Sequence, residues 1–289
     1  MKQRRSKLIL WTTLGIIAVI VLGAAVFFQL PYSKTRHEFE RTVQAQMDRS
    51  SISQDRFAAE DIEALPVPVR RFFHYSGYLG QPKMSYMKAA FKKVDFILSP
   101  DKPAISIDYT QFNFVQEPVR LAFIDTAMYG IPFQGLDAYI HGSGSMKGVL
   151  AKGFTLFHQT GDEMDQAALV TFLAESLMIP STALQPYIVW ESIDDTHAKA
   201  TITHDGCSAS GVFAFDAVGK LLSFTTEDRA LISTDGEYQQ VPWLVRFDDY
   251  EESNGIKQPT HLQAIWQFSD RDLIYFDSHH VDFEYDQPL

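Results

Sequence analysis

"HAKATITHDGCSASGVFAFDAVGKLLSFTTED" occupies residues 197–228, and its pattern sets the architecture. Strand-like runs are separated by two turn signals, Asp205–Gly206 and Val218–Gly219. Connections this short join antiparallel neighbours, because parallel strands need a crossover of roughly a dozen residues or more. The pattern extends in both directions. Upstream, "AISIDYTQFNFVQ" (104–116) alternates Ile105, Ile107 and Tyr109 with Ser106, Asp108 and Thr110. Downstream, "YQQVPWLVRFDDYEESNGIKQPTHLQAIWQF" (238–268) carries a third turn signal at Asn254–Gly255.

One clear helix interrupts these strands. "GDEMDQAALVTFLAESLMI" (161–179) lines up Met164, Ala168, Leu169, Phe172, Leu173 and Leu177, and Pro180 ends it. A large antiparallel sheet twists, and it curls as strands are added. The simplest packing bends the sheet around that helix. The predicted fold class is α+β: a large curved antiparallel sheet, a half-barrel, wrapped around one main helix, with an N-terminal transmembrane helix. Its concave face would be lined by aromatics including Phe213, Phe215, Phe224, Trp243, Phe247 and Trp266.

The transmembrane helix is read from "LILWTTLGIIAVIVLGAAVFFQL", Leu8 to Leu30, which contains no charge. These 23 residues reach about 34 Å as a helix, enough for a hydrocarbon core of about 30 Å. The apolar run exceeds the roughly 7–15 residues of a secretory signal peptide. Bulky Phe27 and Phe28 also follow the small pair Ala24–Ala25 where cleavage would fall. Basic residues flank both ends equally, Lys2, Arg4, Arg5 and Lys7 before and Lys34, Arg36, Arg41 and Arg49 after. The short tail and long acidic body then favour a single-pass protein with its body outside the cell membrane.

Three segments follow: residues 1–30 as tail and anchor, 31–62 as a partly helical stalk, and 63–289 as the β domain. In the stalk, Phe39, Val43 and Met47 recur at helical spacing. At the head of the domain, Pro68 suits a helix start, Val69, Phe72 and Phe73 share a face, and Gly77 suits the stop. That short helix is read as a plug on one edge of the β domain.

Charge narrows the function. Lys2, Arg4, Arg5 and Lys7 are the only charged residues in the first thirty. The remainder carries 21 basic against 36 acidic residues, a net charge of −15. So acidic a body repels phosphate backbones and argues against nucleic-acid binding. Cys207 is the single cysteine, which excludes an intramolecular disulfide and thiolate clusters.

The chain resembles a bacterial family catalogued as a domain of unknown function. The likeness is carried by "LPVPVRRFFHYSGYLGQP" (65–82), "GLDAYIHGSGSM" (135–146), "FLAESLMIPSTAL" (172–184), "VWESIDDTHAKATIT" (189–203) and "FDAVGKLLSF" (215–224). It departs where the family often has arginine ahead of "LAE" and this chain has Thr171, and in the triplet Glu227–Asp228–Arg229. More remotely, strands wrapped on a helix with an "FDxxGxLxxF" hairpin look like lipoprotein-localisation carriers and periplasmic lipid-binding proteins. That resemblance implies a hydrophobic cavity for a lipid or acyl group. Phe172, Phe213, Phe215, Phe224, Trp243 and Trp266 are the candidates to line it.

Other constellations are testable. Glu175, with Asp195 or Asp194, would form a carboxylate pair able to act as acid and base in an envelope hydrolase. The alternative for Glu175 is a structural ion pair, with Arg229 as partner. "DSHHVDFEYD" (277–286) sets His280, Asp282 and Glu284 on one strand face, a pattern shared by a divalent-metal site and a solvated edge strand. "HGSGS" (141–145) lacks the G-x-S-x-G order of a nucleophile elbow. No phosphate loop, dinucleotide fingerprint or zinc-finger spacing occurs, and no cofactor is implied. The third alternative is a structural domain that presents its acidic surface to an envelope protein.

Overall fold

The computed structural model describes residues 2–128, 130–233 and 236–287. Five α-helices appear in them: α1 (Lys2–Gln29), α2 (Lys34–Arg49), α3 (Ala59–Ile62), α4 (Val67–Tyr75) and α5 (Asp162–Ala174). Strands β1 (Tyr86–Phe96), β2 (Ile105–Phe114), β3 (Val119–Met128), β4 (Ile131–Ile140), β5 (Ser143–Leu150) and β6 (Phe154–Gln159) precede α5. After it come β7 (Ile188–Ser192), β8 (His197–His204), β9 (Cys207–Phe215), β10 (Leu221–Thr226), β11 (Ala230–Ile232) and β12 (Tyr238–Gln240). The last four are β13 (Trp243–Ser253), β14 (Ile256–Gln267), β15 (Asp272–Ser278) and β16 (Val281–Tyr285).

All the strands except β11 and β12, which pair with each other, form one sheet in the order 6-5-4-3-2-1-15-14-13-10-9-8-7. Strand β16 pairs with β1 alongside β15. Every pairing among the described strands is antiparallel. The curvature follows from one contact pattern. Helix α5 packs on β3, β4 and β5 and also on β8 and β9, which lie far apart in the strand order. A flat sheet cannot touch one helix at both ends. The sheet is open and curled around α5, and the α+β class predicted from the hairpins is the one found.

The central helix differs from its prediction in length and dress. It ends at Ala174 rather than 179, and Glu175 is its C-terminal cap. Its buried residues run without a break from Ala167 to Ala174, so it is apolar all round rather than striped. Only its first turn is acidic, with Asp162, Glu163 and Asp165 set against the positive end of the helix dipole. Asp165 accepts a hydrogen bond from the Gly144 amide at 2.6 Å. A Cβ on Gly144 would overlap the Met164 carbonyl, so glycine lets α5 lie directly on β5.

Side-chain alternation gives the end of β2 and the start of β3 two dry faces. Tyr109, Gln111 and Asn113 of β2 and Arg120, Ala122 and Ile124 of β3 share one face, from which Gln111, Asn113 and Arg120 reach Glu175 at the end of α5. Phe112, Phe114, Leu121 and Phe123 face the other way and form a second core with Phe39 and Val43 of α2. Phe39 stacks on Phe123 with centroids 5.5 Å apart. The helix read from Phe39, Val43 and Met47 therefore exists, but it is docked on the sheet and does not stand away from it. Helix α4 buries Val69, Phe72 and Phe73 in the main core, as its sequence predicts.

Helix α1 is the one helix among the described residues long and apolar enough to cross a membrane, and its apolar side chains, Leu8 to Phe27, are exposed. Its C-terminal end is tied to the body. Lys152, in the turn between β5 and β6, donates from Nζ to the Phe27 carbonyl at 3.1 Å and also to the Leu30 carbonyl.

Candidate functional site: a cavity with two arginines

The space left between α5 and the sheet is small and divided. One cavity of about 140 Å³ lies between α5 and strands of both arms, lined by Phe91, Ile124, Met178, Val245 and Leu262 among others. A neighbouring cavity of about 120 Å³ is lined by Leu98, Phe157, Met164, Trp266 and Leu273. Phe96, Asp137, Met146, Thr171, Arg229 and Tyr275 line both. Each volume is close to the roughly 150 Å³ of an engineered apolar cavity that stays dry and takes a benzene ring. Most of the concave face is filled by side chains.

A buried polar cluster closes the inner cavity. Arg120, on the α5 side of β3, is 4% exposed. Its Nε donates to Glu175 at 3.0 Å and its Nη1 to Asp137 at 2.6 Å. Its Nη2 donates to the Tyr109 hydroxyl at 2.5 Å and to Gln111 Oε1 at 3.3 Å. Gln111 and Asn113 donate side-chain N–H groups to Glu175 Oε2 at 2.7 and 2.8 Å. Burial pushes the Glu175 carboxyl up, against the pull of Arg120 and Asn113, while the facing carboxylates hold Arg120 well above its ordinary value despite its own burial. Both Glu175 oxygens are engaged by donors. This is a closed ion network, whose parts satisfy one another.

The partner of Glu175 is thus Arg120, not Arg229, because the end of α5 turns its carboxylate toward β2 and β3. Nor does the fold bring Glu175 and Asp195 together. Asp195 is exposed in the turn before β8, where its carbonyl accepts from Arg71 at 3.2 Å. Neighbouring Asp194 accepts from the Thr196 and His197 amides, and these bonds hold its carboxyl down at about 2. The hydrolase pair is dispersed.

Arg229 has a different setting. It lies in the connection between β10 and β11, with its guanidinium 4.6 Å from the Trp243 ring centroid, 4.9 Å from Trp266 and 6.0 Å from Tyr275. The Trp266 and Tyr275 rings stack at 5.6 Å, and Trp243 Nε1 donates to the Tyr275 hydroxyl at 3.1 Å. Arg229 Nε donates to Thr171 Oγ1 at 3.1 Å.

Of the six aromatics singled out as ligand candidates, only Trp243 and Trp266 line these cavities. Phe172, Phe213 and Phe224 are fully buried core side chains, with Phe213 and Phe224 packed ring to ring at 4.7 Å. Phe215 packs against Phe72 of α4. Of the strand-face metal candidates, His280 and Asp282 are exposed and 3.2 Å apart, while Glu284 pairs with Lys88 at 2.9 Å. A different group, His261, Asp277 and His279, brings its ligand atoms within 4.8 Å of one another. It joins β14 to the end of β15, so no local spacing announces it.

A curved α+β half-barrel with a partly open interior is the class these features define. The chain matches the Family of unknown function (DUF6544) over residues 55–278 and belongs to it. No curated protein matches it. Among solved structures it is similar to a LolA superfamily protein from Nitrosomonas europaea, at 10% identity, covering 75% of this chain and 91% of that one, with a TM-score of 0.33. It is also similar to a putative outer membrane lipoprotein-sorting protein domain from Vibrio parahaemolyticus, at 9% identity, covering 70% of this chain and 84% of that one, with a TM-score of 0.35.

Proposed function

We propose that this protein is a membrane-tethered, extracytoplasmic binding module that takes a lipid chain or acyl group between α5 and the sheet. The observation that carries the reading is the pair of adjoining cavities, about 140 and 120 Å³, walled mainly by aromatic and aliphatic side chains. The bare apolar helix α1 supports the tether, and the strongly acidic body supports an aqueous, non-nucleic-acid setting. An eight-carbon chain moved from water onto such walls gains about 0.8 kcal/mol per methylene, roughly 6 kcal/mol in all. Association itself costs at least about 4 kcal/mol. Apolar contact alone gives weak binding here, and a short ligand suits the space.

The test uses the full chain in phosphatidylcholine nanodiscs, with Trp11→Phe to silence the tryptophan of α1. A brominated octanol is titrated while indole fluorescence is followed. Saturable quenching, reduced when Trp243 and Trp266 are replaced by Phe, supports the cavity. Quenching no greater than its partition into empty discs predicts, with no saturation, overturns it.

A further inference from the structure

We infer that the cavity selects an amphipathic oxyanion, with the Arg229 guanidinium as its head-group ligand and the inner cavity as the slot for its chain. This rests on the apolar-ligand reading above and specifies the ligand's chemistry.

Two cations line the interior, and they are unequal. Arg120 is spent: Glu175, Asp137, Tyr109 and Gln111 take its donors. Arg229 uses one donor only. Its Nε bonds to Thr171, and among the described residues no carboxylate lies within ion-pair distance and no acceptor takes its terminal nitrogens. A guanidinium carries five N–H donors in a fixed fork, and half-buried Arg229 leaves its terminal ones open to a ligand in the cavity or to water. The nearby Asp137 lines the same cavities but is committed to Arg120.

Aromatic rings hold that fork in place. The guanidinium lies over the Trp243 and Trp266 rings, a favourable setting for a cation that uses none of its N–H donors in hydrogen bonds to them. Thr171 secures Nε, and its own hydroxyl proton goes to the Ala167 carbonyl at 2.7 Å, so it acts only as acceptor toward Arg229. Arg229 lines both cavities, so a group bound to it sits where they adjoin. Two parallel N–H donors match the two oxygens of a carboxylate or phosphate better than any neutral head group. Beyond them, Phe91, Ile124 and Leu262 offer the apolar wall for a short chain.

The test compares octanoate, octyl phosphate and octanol, which share one chain, on the full protein in phosphatidylcholine nanodiscs by isothermal titration, with empty discs as blank. At least one anion should bind roughly tenfold or more tighter than octanol, as a charge-assisted pair implies. The stronger of the two tells a carboxylate source from a phosphate-headed one. Arg229→Met should erase the preference for anion over octanol measured on that same variant, and Arg229→Lys should retain part of it. With carboxyl-labelled octanoate, the bound carbon signal should titrate at lower pH in the wild type than in Arg229→Met. Equal binding of all three ligands to the wild type, or an anion preference that survives Arg229→Met, overturns the assignment and leaves Arg229 as an aromatic staple. The wild-type comparison holds whether or not the variants fold. Failure of every ligand, octanol included, sinks the cavity reading itself.

Discussion

The guanidinium of Arg120 on β3 meets the carboxylate of Glu175 at the end of α5 at 3.0 Å, with side-chain exposures of 5% and 12%. The pair bolts the central helix to one arm of the sheet. Removing only the carboxylate leaves a buried cation with Asp137 as its one remaining carboxylate partner. Glu175→Ala should therefore cost about 3–5 kcal/mol, measured by urea unfolding. Replacing both, Arg120→Met with Glu175→Leu, should recover much of that loss. A double variant as unstable as the single one would show that the network does more than neutralise its own charges.

Gly144→Ala tests the contact between α5 and β5. The new methyl would overlap the Met164 carbonyl and crowd Ala168, so α5 must lift, at a cost of about 1–3 kcal/mol. Gly153→Ala is the control, since its nearest neighbour would be 4.0 Å away, and it should shift stability by no more than about 0.5 kcal/mol. Thermal unfolding of the two variants side by side decides this.

Buried phenols set an alkaline limit. Burial pushes Tyr78 up to about 12, and pushes Tyr109, Tyr187, Tyr250 and Tyr285 further. Tyr187, Tyr250 and Tyr285 donate their hydroxyls to backbone carbonyls, which cannot accept from a phenolate. A folded value raised above the unfolded one contributes stability that is whole below pH 10 and fades as pH climbs through about 12. Stability should fall steeply over that window. Phenolate absorbance at 295 nm should rise together with loss of far-ultraviolet circular dichroism. Early ionisation of most tyrosines without unfolding would contradict the packing.

Phe39→Ala should release α2. Phe39 is 4% exposed and stacked on Phe123, so its loss costs about 3 kcal/mol or more if α2 stays docked, and less if the helix simply peels away. Hydrogen exchange separates these outcomes. Faster exchange in α2 with β13–β15 unchanged is expected, and unchanged α2 exchange would mean that Phe39 is not its main fastening.

The hairpins were readable because their turns declare themselves. Asp205–Gly206 and Asn254–Gly255 both adopt positive φ at each position, as two-residue antiparallel turns require. The apolar interior of 161–179 was readable as well, and with antiparallel strands on either side it forced a curled sheet. The polar cluster was not. Arg120 sits within "VRLAFI", on the face that also buries Ala122 and Ile124, and a lone cation on an apolar strand face is the signal that marks it. Its partner, 55 residues on, depends on how far the sheet bends, which no local period encodes. In the sequence, Arg229 stands out only as a partner for Glu175. Its aromatic box assembles from β13, β14 and β15, so it exists only after folding. The second core under α2 is illegible in the sequence for a related reason. Phe112, Phe114, Leu121 and Phe123 alternate with residues that are also buried, and a strand dry on both sides no longer reveals which face is inward.

Helix α1 ends at Gln29 and α2, already docked, begins at Lys34, leaving a link of four residues that spans at most about 14 Å. Lys152 shortens even that slack by clasping the last carbonyls of α1. A head fastened this closely has no leash. The short link and the Lys152 clasp make the body turn with α1, so whatever orients that helix orients the sheet as well.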